Sequence, residues 1–288
     1  MRRPAIGKEP AIVPGGRETT EAVAPLALVL STREEMIAEA KGIIDAAREQ
    51  GIVLRLIGGL AVRLHCETLD FCERDHGDID LVGHRRDADR IAGFFADLGY
   101  EEKLHVRQAT EGRQLQFATE CRHKDEWARY APHNNDHIDV FLDTFKMDHA
   151  IDLTDRLNLD EYTISVSDVL ITKLQIAKIN ERDERDIFTL LADLELGTAD
   201  NPGAIDVPYI ARLCSRDWGL FHDVNISLAH LRKRLDDYPL APGARDRVRS
   251  KLDRLEDAIE VQPKSRAWRV RQKIGTHIPW HDMIEEQD

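Results

Sequence analysis

Asp78 and Asp80 stand two residues apart between apolar neighbours, in Gly77-Asp78-Ile79-Asp80-Leu81-Val82. Successive side chains of a strand point to opposite faces, so the two carboxylates share one face while Ile79 and Leu81 enter the core. Their Cα atoms then lie roughly 6–7 Å apart at about 3.3 Å per residue, within reach of one divalent ion or a close pair of them. Asp139, in His137-Ile138-Asp139-Val140-Phe141, is a third acid on an otherwise apolar strand, and Asp143 has the same strand parity and is a substitute for it. Read alone, Asp139 fits a structural hydrogen bond at a strand end equally well. The chain also carries a control. Asp87-Ala88-Asp89 has the same spacing in a helix-like stretch, where residues two apart point about 200° apart and build no shared site.

The elements that must hold these acids follow from the apolar pattern. Leu54-Arg55-Leu56-Ile57-Gly58-Gly59 reads as a strand running into a turn. Glycines there let backbone N–H groups approach a phosphate, and a helix beginning at Leu60 adds its N-terminal dipole. Gly-Gly by itself is common in ordinary turns, so its weight comes from the aspartates downstream. Upstream, Ser31 with Glu34 fits a capping box for a helix reaching about Gln50, closed by Gly51, with a stripe of Met36, Ala40, Ile43, Ile44 and Ala47. Ala88, Ile91, Ala92, Phe95 and Leu98 mark another helix ending at Gly99, and residues 104–107 and 114–118 read as strands around a polar turn. A long polar loop over residues 122–135 borders the strand carrying Asp139, and from residues 165–167 onward the pattern is mainly helical. Within that part, Lys173 lies three residues after Leu170 and four before Ala177, so it shares their apolar helix face. A lysine there must extend its tip to water or meet an anion. A phosphate and the carboxylate of Asp186 both qualify.

Composition sets the bounds. The chain has 288 residues, 42% hydrophobic and 32% charged, enough for a substantial core. No apolar run approaches the ~20 residues of a membrane span, and Met1-Arg2-Arg3 is followed by Pro- and Gly-containing polar sequence instead of a signal peptide's apolar stretch. Cys66, Cys72, Cys121 and Cys214 form no regular framework, which points to a reducing cytoplasm. His65-Cys66, Cys72 and His76 match no compact zinc motif, Cys121 and His123 do not change that, and zinc is not expected. Trp218, Phe221 and Trp268 on helical stretches read as core. The net charge of −13 argues against coating by nucleic acid, yet residues 225–273 hold 13 Lys or Arg against 7 Asp or Glu. A polyanion docks there if anywhere, although such a run is ordinarily a solvated helix face. The expected organisation is an N-terminal arm over residues 1–25, an α+β core over residues 26–160 and a helical region over residues 161–288.

Gly58-Gly59, Asp78-Ile79-Asp80-Leu81 and Ile138-Asp139-Val140, in that order, resemble the DNA polymerase β-like nucleotidyltransferase superfamily over roughly residues 50–195. The helical segment 173–186, with Arg185 and Asp186 before the stripe Ile187, Leu190, Leu191 and Leu194, looks most like the bacterial branch of AbiEii-type toxins. The gap from Gly59 to Asp78 is longer than in the compact antibiotic-modifying members, which disfavours a drug as acceptor. The resemblance implies a mixed sheet with flanking helices followed by a helical C-terminal region. It implies a Mg²⁺-dependent nucleotidyltransferase that moves the monophosphate of a nucleoside triphosphate onto a hydroxyl and releases pyrophosphate. Asp78 and Asp80 would bridge two Mg²⁺ ions and Asp139 complete one of them, while Gly58, Gly59 and Lys173 would contact the triphosphate. RNA or a protein side chain is favoured as acceptor, and no membrane is involved. The rival expectation is a catalytically inactive nucleotide-binding or protein-interaction module of the same fold.

Overall fold

The structure is a computed structural model that describes residues 33–66, 78–119, 137–201 and 203–280. The N-terminal arm, the Ser31 cap, Cys72, His76, Cys121, His123 and the 122–135 loop lie outside the described residues. A first helix, α1 (Arg33–Glu49), buries the stripe Met36, Ala40, Ile43, Ile44 and Ala47. The chain then reverses through Gly51, whose φ of 67° lies in the left-handed region. Next come strand β1 (Leu54–Leu56), helix α2 (Gly58–His65) and strand β2 (Ile79–Gly83). Helix α3 (Ala88–Asp97) leads to β3 (Tyr100–Glu102), α4 (Leu104–Ala109), β4 (Gln114–Thr119) and β5 (His137–Leu142).

These strands make one five-stranded mixed sheet in the order β1-β2-β5-β4-β3. Only β2 and β5 run parallel, with Asp80 opposite Asp139; the other neighbours are antiparallel. Parallel neighbours need a crossover, and here α3, β3, α4 and β4 all lie between β2 and β5 in sequence. The central strands bury Ile79, Leu81, Val82, Ile138, Val140 and Leu142. Phe95 of α3 stacks on Phe117 of β4 with ring centroids 4.3 Å apart.

Two expectations need correction here. Residues 104–107 form helix α4, not a strand. Leu104 and Val106 alternate as in a strand, but Leu104 is 59% exposed and no residue of α4 is buried. The Thr110 N–H instead bonds the Val106 carbonyl, so the segment satisfies its backbone locally without a partner strand. Helix α2 also begins at Gly58, two residues before Leu60.

After β5 the chain forms the hairpin β6 (Thr144–Lys146) and β7 (Ala150–Asp152). Helices follow: α5 (Val166–Leu174), capped by the Ser165 hydroxyl accepting from the Asp168 N–H, and α6 (Glu181–Asp193), capped in the same way by Asn180. A short parallel pair, β8 (Glu195–Gly197) and β9 (Ala204–Asp206), interrupts the otherwise helical part. The remainder is α7 (Val207–Arg216), α8 (Trp218–Arg234), α9 (Pro242–Val261) and α10 (Arg266–Ile274). Trp218 and Trp268 are buried as expected, and Phe221 packs edge-on against Trp268. One apolar cluster runs through the residues of α1, the sheet and α5 to α9. No described helix is long and apolar enough to cross a membrane.

Candidate functional site

The parallel pairing of β2 on β5 brings the strand acids together. Strand neighbours lie about 4.8 Å apart, and registered residues project to the same side. Asp80 and Asp139 are registered partners, and Asp78 precedes β2 by one residue on the parity of Asp80. Asp139 is buried, while Asp78 and Asp80 are partly exposed. The main chain ties this edge to the start of α2, because the Ile57 N–H donates to the Asp80 carbonyl at 3.0 Å.

Gly58 is required there twice over. Its φ of 74° is left-handed, and a Cβ on it would stand 2.7 Å from Asp80 Oδ2. The Asp80 carboxyl therefore packs directly against the first turn of α2, where unsatisfied N–H groups and the helix dipole favour negative charge. Gly59 follows as a buried residue of the same turn.

Asp139 is held by residues of its own sheet. The side-chain amides of Gln114 and Gln116 both donate to its Oδ1, at 2.9 Å and 3.0 Å. Its Oδ2 faces His137 Nε2 at 3.2 Å, and the same nitrogen lies 3.7 Å from Asp78 Oδ1. His137 thus stands between two of the three aspartates. The hydrogen bond to Asp139 raises its pKa above the ordinary histidine value against the opposing effect of burial, and the neighbouring charges of Asp78, Asp139 and Asp80 raise it further.

Asp80 carries the strongest electrostatic signature of the group. Burial, followed by the charges of Asp139 and Asp78, pushes its carboxyl up to about 7 from an ordinary 3.8; Lys173 and His137 act in the opposite direction. A carboxyl so placed retains its proton near neutrality unless positive charge arrives.

Lys173 sits at the margin of this cluster. Its ammonium bonds Asp183 Oδ1 at 2.7 Å and lies 3.2 Å from Asp186 Oδ2. Helix α5 ends at Leu174, so the expected common face with Ala177 does not form; the Ala177 N–H instead donates to Asp148. Of the two anions that sequence offered to Lys173, Asp186 is in contact, together with Asp183, which sequence did not offer. Asp186 is completely buried and also receives Arg63 of α2 at 3.2 Å. Arg185, next to it in sequence, turns outward and pairs with Glu181 one helical turn back.

Asp143 does not replace Asp139. It follows the far end of β5, where its N–H bonds the Gly83 carbonyl and its carboxylate lies 3.4 Å from His84. His65 Nε2 pairs with the Thr163 hydroxyl, and Cys66 is buried. Among the described residues, no three or more His, Cys, Asp and Glu side chains are grouped closely enough as they stand to hold a metal ion. The residues that sequence reading missed are His137, Gln114, Gln116 and Arg63. Strand parity could have found the first three: His137 is two residues before Asp139, and the glutamines alternate with the core residues Leu115 and Phe117.

No family model matches the chain, and no curated protein sequence does. Solved structures similar to this chain include the following two. One is a lincosamide antibiotic adenylyltransferase, LnuA, with lincomycin bound: 16% identity, 53% of this chain and 94% of that one covered, TM-score 0.37. The other is the solution structure of the antibiotic-resistance factor ANT(2'')-Ia: 11% identity, 80% and 97% covered, TM-score 0.31.

Proposed function

We propose that the chain is a Mg²⁺-dependent nucleotidyltransferase of the DNA polymerase β-like superfamily, in the branch of AbiEii-type toxins. The observation that carries this reading is the register of β2 on β5, which sets Asp80 beside Asp139, with Asp78 on the same parity and the Gly58 turn packed against Asp80. In the reaction, an acceptor hydroxyl oxygen bonds to the α-phosphorus of a nucleoside triphosphate. The bond from that phosphorus to the bridging oxygen breaks, pyrophosphate leaves with the electron pair, and the hydroxyl proton passes to Asp139 or to water.

The donor set fits a hard divalent cation. Carboxylate oxygens are the ligands Mg²⁺ prefers, and a carboxyl driven up to about 7 by burial and then by neighbouring acids marks a place short of positive charge. Asp78 and Asp80 would hold both ions and Asp139 one of them; when bound, the ions supply positive charge opposite the charge that builds on the attacking and leaving oxygens. The chain's own contribution is placement. Gly58 and Gly59 leave the first N–H groups of α2 open to the triphosphate, as helix N-termini do for phosphates. Lys173 adds positive charge within electrostatic reach of Asp80. RNA or a protein side chain is the acceptor in this reading, and the cytoplasm, where nucleotide and Mg²⁺ are at hand, is its setting.

Thermal stabilisation by each ribonucleoside triphosphate, with and without Mg²⁺, tests it. At about 100 times Kd, one nucleotide should add roughly 2.7 kcal/mol, and Asp78→Asn/Asp80→Asn should erase the gain. If no nucleotide shifts the wild-type transition in Mg²⁺, an inactive module of the same fold becomes the better reading.

A further inference from the structure

Three side chains, not one, define the third metal-facing position. We propose that Gln114 and Gln116 are positioning residues that lock Asp139 into presenting a single oxygen, Oδ2, to the cation. The proposal rests on the metal-dependent reading above and adds to it the device that fixes the geometry of Asp139.

Strand β4 lies antiparallel to β5, with Gln116 opposite Asp139 and Gln114 opposite Phe141. Gln114 and Gln116 are two residues apart, so both side chains stand on the face that carries Asp139. Both amide nitrogens donate to the same carboxylate oxygen, Oδ1, at 2.9 Å and 3.0 Å. A carboxylate only accepts, so each glutamine must turn its NH₂ toward Asp139 and its own carbonyl away. Two donors on Oδ1 occupy the lone pairs that a chelating carboxylate would need on that side. Oδ2 is the oxygen that faces His137, on the side of Asp78.

The chemistry of the donors is the second argument. Two other buried aspartates of this chain are held by cations: Asp168 by the Arg156 guanidinium at 2.8 Å, and Asp186 by Arg63 and Lys173. A cation against Asp139 would repel a metal ion arriving on the other oxygen. Two neutral amides orient the carboxylate just as firmly and leave the electrostatic demand of the cluster for the metal to meet. Side chains that orient a metal-binding carboxylate in this way typically change metal affinity 10–100-fold when removed.

The test uses Gln114→Met, Gln116→Met and the double variant, which keep side-chain length and remove the donors. Binding of Mn²⁺ to the full chain without nucleotide is followed by electron paramagnetic resonance. About a 10-fold weaker Mn²⁺ affinity in each single variant and about 100-fold in the double is expected. The line shape of the bound Mn²⁺ should also change, because Asp139 becomes free to rotate or chelate. Melting in chelator checks that the variants fold, and the single variants remain informative if the double does not. If all three bind Mn²⁺ with wild-type affinity and line shape while Asp78→Asn/Asp80→Asn abolishes binding, the positioning role is overturned and the metal site stands. If the wild-type chain itself binds no Mn²⁺, both are overturned.

Discussion

Two charged regions border helix α2 and hold aspartate in opposite ways. Beside Arg63, Asp186 is fully buried and meets Arg63 and Lys173, and Lys173 also holds Asp183. Beside Gly58, Asp80 and Asp139 have no lysine or arginine within ion-pair distance among the described residues; Asp139 is held by two amides and His137. The first arrangement closes its charges on one another and ties α2 to α5 and α6. The second concentrates like charge and leaves it open, which costs stability and is useful only if something positive is to be captured.

The largest expected effect breaks the closed region. Asp186→Ala takes from buried Arg63 its Asp186 partner and leaves Lys173 with Asp183 only, and stability should fall by about 3–5 kcal/mol, the usual cost of breaking a buried ion pair by removing one partner. Urea denaturation measures it; a loss below about 1 kcal/mol would mean that the network is not the clamp described here.

The open region should respond with the opposite sign. Asp80 has its folded pKa raised from 3.8 to about 7, so the proton it keeps stabilises the native state at low pH, and that contribution is lost as pH rises through 7. Asp80→Asn removes the penalty. In chelator at pH 8 the variant should be more stable than wild type by up to about 4 kcal/mol, shrinking to under about 1 kcal/mol near pH 4. A gain independent of pH would show that ionisation of Asp80 is not its source, and saturating Mg²⁺ should narrow the gap at pH 8.

A smaller effect sharpens the boundary between the regions. Gly58→Ala places a methyl against the Asp80 carboxylate and forces a left-handed φ on alanine. The expected cost is about 1–3 kcal/mol, and it should be relieved in part by combining it with Asp80→Ala. Additivity in that pair, measured by a double-mutant cycle, would argue that the strain at Gly58 is unrelated to Asp80.

The open region was the more legible in sequence. An acid at every second position between core residues is a strand-face pattern, so Asp78 and Asp80 stood out, whereas Asp139, a lone acid on its strand, read equally well as a structural hydrogen-bonding residue. The closed region was half legible: Lys173 on an apolar helix demanded an anion, yet sequence offered a phosphate and Asp186 on equal terms. Arg63 gave no such signal, because an arginine in an amphipathic helix reads as solvated until its packing is known. Segment 104–107 misled for a related reason. Leu104 and Val106 alternate as strand residues do, and only the lack of a partner strand lets local hydrogen bonds make it helix α4.

Sequence alone determined what is periodic and local: which residues of the long helices and central strands enter the core, and that Asp78 and Asp80 share a strand face. These follow from the 2.0 and 3.6 residue periods and from the special backbone of glycine, all of which are set within a few residues. The tertiary structure alone decided which strand lies beside which. The pairing of β2 with β5, across more than fifty intervening residues, set Asp80 against Asp139, and burial followed by that neighbouring charge raised the Asp80 pKa. The pairing of β4 with β5 brought Gln114 and Gln116 onto one oxygen of Asp139. Electrostatic energy depends on distance in space, and register between strands remote in the chain is fixed by burial of the whole sheet face, not by any residue's neighbours in sequence.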